Sequence, residues 1–150
     1  MGMNMPKMRL YLDNCCFNRP YDDQSQLKIH LETEAKIFIQ QNIMDGICEL
    51  AWSYVMDYEN SLNPFLERRR RTAKWKEIAN VFCDENETIL TKAENFRDKG
   101  MKFFDSLHVA CSVFLKCDYF LTTDYRLLRK QASAIRIINP IDFIRMEEII

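Results

Sequence analysis

The sequence predicts an α/β protein of three layers, in which helices cover both faces of a central parallel sheet of four to five strands. Three short apolar runs, at residues 8–12, 47–52 and 119–123, are typical of buried strands. Longer segments with helical spacing separate these runs. Strands that alternate with helices in this way form parallel β-α-β units with right-handed crossovers.

Length and composition favour a single domain over residues 1–150. The chain is 47% hydrophobic and 29% charged, which is ordinary for a globular domain with a proper core. No apolar run approaches the ~20 residues that a membrane-spanning helix needs, and the first residues lack the apolar stretch of a signal peptide. We therefore expect a cytoplasmic protein with no membrane association.

Charge and cysteine content exclude few partners but argue against a zinc site. The formal net charge is −1, which neither requires nor excludes a polyanionic partner. The six cysteines stand at positions 15, 16, 48, 83, 111 and 117. None of them forms the closely spaced pairs of a zinc site, and disulfides are rare in the cytosol. We interpret them as small apolar side chains.

The first helix is predicted to follow a turn at residues 18–23. Asp22 or Asp23 is suited to cap it, and the pattern continues to about Gln41 before Gly46 closes the segment. Its predicted core face carries Leu27, Leu31, Ala35 and Phe38.

The middle of the chain predicts two consecutive helices. Ser53 is suited to cap a short helix at 54–60, and the Asn63-Pro64 pair to begin a longer one that runs to about Val81. The longer helix is predicted to direct five residues toward the core, namely Phe65, Thr72, Trp75, Ala79 and Phe82. The remaining elements are predicted as helices at 90–99, from 104 onward, and at 125–131, a strand at 134–138, and a helical tail after Pro140.

Four carboxylates fall at the positions where an α/β sheet usually binds its ligands. Asp13 and Asp124 each end a strand, Asp105 begins the helix leading into the second of those strands, and Glu59 lies on the short helix after the middle strand. The carboxyl ends of parallel strands share one edge of the sheet. Carboxylates gathered there repel one another unless a cation is present, and Mg²⁺ and Mn²⁺ prefer oxygen ligands. We therefore expect a site for one or two such ions.

Each of these acids except Asp13 has an ordinary alternative role. Asp105 and Asp124 are well placed to cap the helices that follow them. Glu59 could be a solvated helix residue, and Asp57 and Glu49 are close enough in sequence to take its place in the site. Asp13 is harder to explain in this way, because an unpaired carboxylate that ends an apolar strand is costly to bury.

Four motifs in this order resemble those of the PIN-domain nucleases. The matching pieces are Tyr-Leu-Asp-Asn at 11–14, Ser53 with Glu59, Phe-Asp-Ser-Leu-His-Val-Ala at 104–110, and Phe-Leu-Thr-Thr-Asp at 120–124. The resemblance, closest to stand-alone bacterial toxins of the VapC type, extends from about Arg9 to Phe143. It implies a compact PIN-like α/β domain with a central parallel sheet.

The resemblance also implies a function and a set of site residues. Most members are metal-dependent ribonucleases, and many bacterial ones are the toxin of a toxin–antitoxin pair. Mg²⁺ or Mn²⁺ is the implied cofactor, RNA the implied substrate, and an antitoxin and a homodimer the candidate partners. The implied catalytic and metal-binding residues are Asp13, Glu59, Asp105 and Asp124, with Asn14 and Thr122 as polar supports that orient the carboxylates.

Competing functions fit less well. A phosphatase of the haloacid dehalogenase type needs a second acid two residues after Asp13, where Cys15 stands, and a receiver domain needs paired acids and a late lysine. The serious alternative is a PIN-like module that binds RNA or protein with weak or no catalysis.

Three further features receive a structural interpretation. His108 lies one turn after Asp105, and we expect it to be a hydrogen-bonded packing residue outside the site. The arginine run 68–71 cannot share one helix face, so we expect a solvated surface and assign no RNA-binding residue. Asp118 begins the strand that Asp124 follows, so it should lie at the opposite edge of the sheet.

Overall fold

A computed structural model of the chain describes residues 7–146. It contains one five-stranded sheet in which every neighbouring pair of strands is parallel, in the order β3-β2-β1-β4-β5. The strands are β1 (Met8–Leu12), β2 (Cys48–Ser53), β3 (Val81–Cys83), β4 (Tyr119–Leu121) and β5 (Arg136–Ile138). The predicted α/β architecture with a central parallel sheet is confirmed.

Eight helices accompany the sheet within the described residues. They are α1 (Asn14–Asn18), α2 (Leu27–Met44), α3 (Tyr54–Ser61), α4 (Leu66–Ile78), α5 (Glu87–Asp98), α6 (Phe103–Phe114), α7 (Tyr125–Lys130) and α8 (Pro140–Met146), with a 3-10 turn at Arg19–Tyr21. None of these helices is long and apolar enough to cross a membrane. Residues 147–150 of the predicted helical tail lie outside the described residues.

Strand β1 is the centre of the sheet and sets the position of the site. Leu10, Tyr11 and Leu12 are almost fully buried, as expected for a strand with helices on both faces. The chain passes from β1 outward to β2 and β3, then returns to place β4 on the other side of β1. The strand order therefore reverses between β1 and β4, which is where α/β proteins bind their ligands.

Strand β3 replaces the end of a predicted helix. The helix predicted to reach Val81 ends at Ile78, and Asn80 then pairs with Leu50 through both its backbone N–H (2.8 Å) and its side-chain oxygen (2.9 Å). Phe82, predicted to face the core, is 41% exposed on this edge strand. A three-residue strand is too short to interrupt a helical pattern recognisably in the sequence.

Other helix boundaries also differ from the predictions. Helix α4 begins at Leu66 rather than at the Asn63-Pro64 pair, so Phe65 is exposed, although Thr72 is buried as predicted. Helix α5 begins at Glu87, three residues before the predicted start, because Asn86 caps it by accepting a hydrogen bond from the backbone N–H of Ile89 (2.9 Å).

Helix α2 buries a different face from the predicted one. Leu27 and Leu31 are exposed, whereas Ala35 is buried as predicted. The buried face consists of Ala35, Ile39 and Ile43 together with the polar Glu32, Thr33, Lys36, Gln40 and Asn42. Apolar spacing alone does not identify an inward face that carries so many polar groups. The predicted cap is also wrong, because the Asp23 side chain bonds Ser25 instead, while Gly46 closes the segment with a φ of +75°.

Candidate metal centre

Asp13 lies at the carboxyl end of β1 with its side chain held from two directions. Its Oδ1 accepts from the backbone N–H of Asn14 (2.8 Å), and its Oδ2 accepts from the hydroxyl of Thr122 (2.8 Å). The residue is only 7% exposed. Burial raises the pKa of this carboxyl, the charge of Glu59 adds to the effect, and His108 with the two hydrogen bonds opposes it only in part.

Glu59 and His108 face Asp13 from two different helices. The Nε2 of His108 on α6 lies 2.5 Å from Oε1 of Glu59 on α3. One ligand atom from each of Asp13, Glu59 and His108 lies within 4.8 Å of the other two. A buried carboxylate therefore has a second carboxylate and an imidazole within the span of a single ion.

The two alternatives to Glu59 are engaged elsewhere. Asp57 accepts from the indole N–H of Trp52 (2.8 Å) and pairs with Lys76 (2.7 Å). Glu49 forms an ion pair with Arg9 (2.9 Å) near the start of β1. Glu59 is thus the acid of this segment that the fold brings beside Asp13, while its role in a metal site stays a prediction.

Asp105 and Asp124 reach the same edge of the sheet. Burial, followed by the charges of Asp13 and Asp124, raises the pKa of the half-buried Asp105 carboxyl to about 6. Asp124 caps α7 by accepting from the backbone N–H of Arg126 (2.9 Å). The predicted cap at Asp124 is therefore present, and it leaves the carboxylate close enough to act on Asp105. The four predicted acids come together.

The two predicted supports behave differently. The Thr122 hydroxyl donates to Asp13 and accepts from the backbone N–H of Asp124 (3.0 Å), so it fixes both strand ends. Asn14 contacts Asp13 through its backbone rather than its side chain. The Asn14 side-chain oxygen is buried and has no hydrogen-bond partner within residues 7–146.

His108 is the residue that the sequence interpretation left out. It is 1% exposed, its Nδ1 lies 2.6 Å from the Tyr11 hydroxyl, and that hydroxyl lies 2.7 Å from the Ser53 hydroxyl. Ser53 in turn accepts from the backbone N–H of Met56 in the first turn of α3 (3.3 Å). The signal in the sequence is its spacing of three residues from Asp105, which puts both on one helix face.

These contacts form one directional chain when the imidazole is neutral. The ring donates through Nε2 to Glu59 and accepts at Nδ1 from Tyr11, which accepts from Ser53. Burial lowers the pKa of His108, but the hydrogen bond to Glu59 and the charges of Asp13 and Glu59 outweigh burial and raise it. A protonated ring would place one positive charge among the carboxylates, the same compensation that a bound cation provides.

The donor set fits a hard divalent cation. Asp13 and Glu59 offer carboxylate oxygens within 4.8 Å of each other, and Asp105 is close enough to feel the charges of Asp13, Glu59 and Asp124. Mg²⁺ and Mn²⁺ favour oxygen ligands of this kind, and the single imidazole is hydrogen-bonded on both sides. Burial is the main cause of the raised pKa values of Asp13 and Asp105, and neighbouring carboxylates add to it, so a bound cation would favour the ionised forms.

We expect Asp105→Asn to stabilise the metal-free protein at pH 7.5 but not near pH 4.5. The folded-state pKa of about 6 lies above the unfolded value, so the ionised carboxyl destabilises the fold above pH 6, and this penalty disappears as the pH falls toward 4. Thermal unfolding in the presence of a chelator measures the difference. Asp142→Asn, at an exposed site on α8, is the control and should change little at either pH. An equal effect of Asp105→Asn at both pH values would contradict the assignment.

Tyr11→Phe should lower the free energy of unfolding by about 1–3 kcal/mol, because it leaves the buried Ser53 and His108 groups without a partner. Urea denaturation measures the change. Tyr125→Phe removes a hydroxyl from a half-exposed ring and should stay within about 0.5 kcal/mol of the unmodified protein. If both variants unfold alike, the Tyr11 hydroxyl does not link Ser53 to His108.

Comparison of the sequence with protein-family models and with curated proteins gives no match. Solved structures do match. FitAcB from Neisseria gonorrhoeae superposes with a TM-score of 0.57 at 12% identity, over 87% of this chain and 97% of that one. VapBC2 from Rickettsia felis, bound to a DNA fragment from its promoter, gives 0.55 at 11% identity, over 88% and 98%. DNA-bound VapBC from Salmonella typhimurium gives 0.52 at 13% identity, over 89% and 98%.

These likenesses cover nearly the whole of each matched chain, but at identities of 11% to 13% they concern the fold. The resemblance that the sequence motifs indicated is confirmed at that level: the chain has the PIN-like fold of VapC-type proteins.

Proposed function

We propose that this protein is a divalent-metal-dependent endoribonuclease that hydrolyses RNA phosphodiester bonds, and that it is the toxin of a toxin–antitoxin pair. The observation that carries the proposal is the buried Asp13 carboxylate at the switch between β1 and β4, surrounded by Glu59, Asp105 and Asp124. A fold needs no such gathering of negative charge for stability, whereas metal-assisted cleavage of a phosphodiester does.

Asp13, Glu59, Asp105 and Asp124 would hold Mg²⁺ or Mn²⁺, as one or two ions. When bound, the metal would position the scissile phosphate, activate the attacking water and neutralise charge on the leaving oxygen. No side-chain nucleophile is required for such a reaction.

The polar neighbours of the acids would keep them in place before substrate arrives. Thr122 and the Asn14 backbone hold the two oxygens of Asp13, so its carboxylate cannot rotate freely. His108 holds one oxygen of Glu59 and leaves the other available to the site. Partners of this kind orient ligands and raise their affinity for metal.

The proposed antitoxin partner has support from the surface as well as from the similar structures, which are themselves FitAcB and VapBC. Large apolar side chains are exposed around the start of α4, at Leu62, Phe65 and Leu66. Several large apolar side chains exposed close together in the chain are typical of protein interfaces. The same surface would also suit a second copy of this chain, so a homodimer is proposed as well.

Asp13→Asn and Asp124→Asn should each reduce Mn²⁺-stimulated cleavage of a mixed RNA pool by on the order of 100-fold or more, because each removes a charge from the proposed metal site. Asp118→Asn is the matched control. Asp118 lies at the other end of β4, where its side chain accepts from the backbone N–H of Arg9 (2.7 Å), a bond that asparagine can also accept.

The proposed site would be contradicted if the unmodified protein cleaves RNA and Asp118→Asn reduces that cleavage as much as Asp124→Asn does. If the unmodified protein binds RNA but does not cleave it with either metal, the protein is a PIN-like binding module instead of a nuclease.

A further inference from the structure

A cavity lies beside α1, the short helix that Asp13 caps. It has a volume of about 260 Å³ and opens between α1, the 3-10 turn, α2 and α4. Its walls include three aromatic rings, two cations and a hydroxyl, from Phe17, Tyr21, Trp75, Lys36, Arg71 and Thr72. None of the residues that line it is acidic.

Lys36 is the unusual member of this lining. It is only 8% exposed, and its ammonium makes no hydrogen bond or ion pair with any residue between 7 and 146. The nearest compensation is the ring of Phe17, whose centroid lies 5.9 Å from Nζ. Burial lowers the pKa of this lysine to about 8, and the Cys16 thiol opposes the effect only weakly.

The same helix, α2, also carries a buried charge that has partners. Glu32, one turn before Lys36, is 2% exposed, but it pairs with Arg19 (3.2 Å) and accepts from the amide of Asn139 (2.5 Å). A buried charge without such partners is costly. An anion that enters the cavity would therefore give Lys36 the partner that the described chain does not supply.

The arginine run adds positive charge at the mouth of this cavity. Its four members diverge as expected. Arg70 pairs with Glu67 at the surface, Arg69 bonds the backbone oxygen of Asn63, and Arg68 stacks over Tyr21 (4.5 Å), while Arg71 lines the cavity. Arg71 is exposed as expected, whereas Arg68 is partly buried against Tyr21, so the expectation of a purely solvated run does not hold for Arg68.

Rings beside cations are what proteins use to hold single-stranded nucleic acid. Bases stack on aromatic side chains while lysine and arginine contact the phosphates. The volume lies below the ~300 Å³ at the lower end of drug-sized sites, so one base with its phosphate is the appropriate occupant. Phe17 lines the cavity, and Asp13 caps the same helix four residues earlier, a rise of about 6 Å, so one strand that meets Asp13 can also reach the cavity.

We infer that this cavity is an RNA subsite, in which Lys36 and Arg71 bind a phosphate close to the scissile one and Trp75 and Tyr21 pack against its base. The inference rests on the proposed function, since it assigns a binding site for the same substrate. It predicts that the unpaired lysine is retained for binding at the expense of stability.

The test measures RNA binding separately from cleavage. A fluorescent single-stranded RNA octamer of mixed sequence is titrated into the full-length Asp13→Asn protein, alone and with Lys36→Met or Lys74→Met added. Lys74 is exposed on α4 and is the matched control. We expect Lys36→Met to weaken binding at least tenfold and to reduce the slope of log K against log salt by about 0.7, the value for one phosphate contact. Lys74→Met should stay within twofold.

A second measurement shows whether the variant folds. Lys36→Met removes an unpaired buried charge while keeping its apolar stem, so it should unfold at the same or a higher temperature than the parent. Weaker RNA binding by a protein that is at least as stable supports the inference.

Three results would overturn the inference. The octamer does not bind, or Lys36→Met leaves octamer binding unchanged, or Lys36→Met weakens only the binding of a decaglutamate peptide used as a second probe. The last result would assign the cavity to protein carboxylates. The proposed nuclease activity fails separately. Mn²⁺-dependent cleavage with Lys36-independent binding contradicts only the subsite, whereas Lys36-dependent binding without cleavage contradicts only the nuclease.

Discussion

The burial of the Asp13 carboxylate at the carboxyl end of β1 is the constraint on which the rest of the site depends. The fold leaves this side chain only 7% exposed, so its oxygens need partners nearby, and Thr122 and the Asn14 backbone provide them. The reversal of strand order brings Asp124 to the same place, and α6 adds Asp105. Every further negative charge there increases the need for a cation.

Two buried basic groups respond to burial in opposite ways. His108 is saturated with partners, and through Tyr11 and Ser53 it connects β1, β2, α3 and α6 into one polar network that fixes Glu59. Lys36 is nearly as deep and lacks a polar partner in the described chain. The first pattern is that of a group held for what it positions. The second is that of a group available to bind a ligand. His108 lies beside Asp13, and Lys36 lies against Phe17 on the helix that Asp13 caps.

The sequence was sufficient for four of the five strands and for the gathering of the acids, because parallel strands place their carboxyl ends at one edge whatever the details of packing. It was insufficient for β3, whose three residues continue a helical pattern, and for the inward face of α2, where Lys36 interrupts the apolar spacing. The spacing of His108 from Asp105 indicated a shared helix face, but its hydrogen-bond partners come from β1 and α3, which only the folded chain brings together. The roles of Asp13 and the other site acids stay predictions.

The most direct test of the account is a calorimetric titration of Mn²⁺ into the metal-free protein at neutral pH, repeated in buffers of different ionisation enthalpy. The account predicts saturable binding of one or two ions that is accompanied by proton release, since the raised pKa of Asp105 leaves part of that carboxyl protonated before the ion arrives. The absence of any saturable heat at millimolar Mn²⁺ would contradict it. Compensation of the carboxylate charge would then fall to the protonated imidazole of His108 alone.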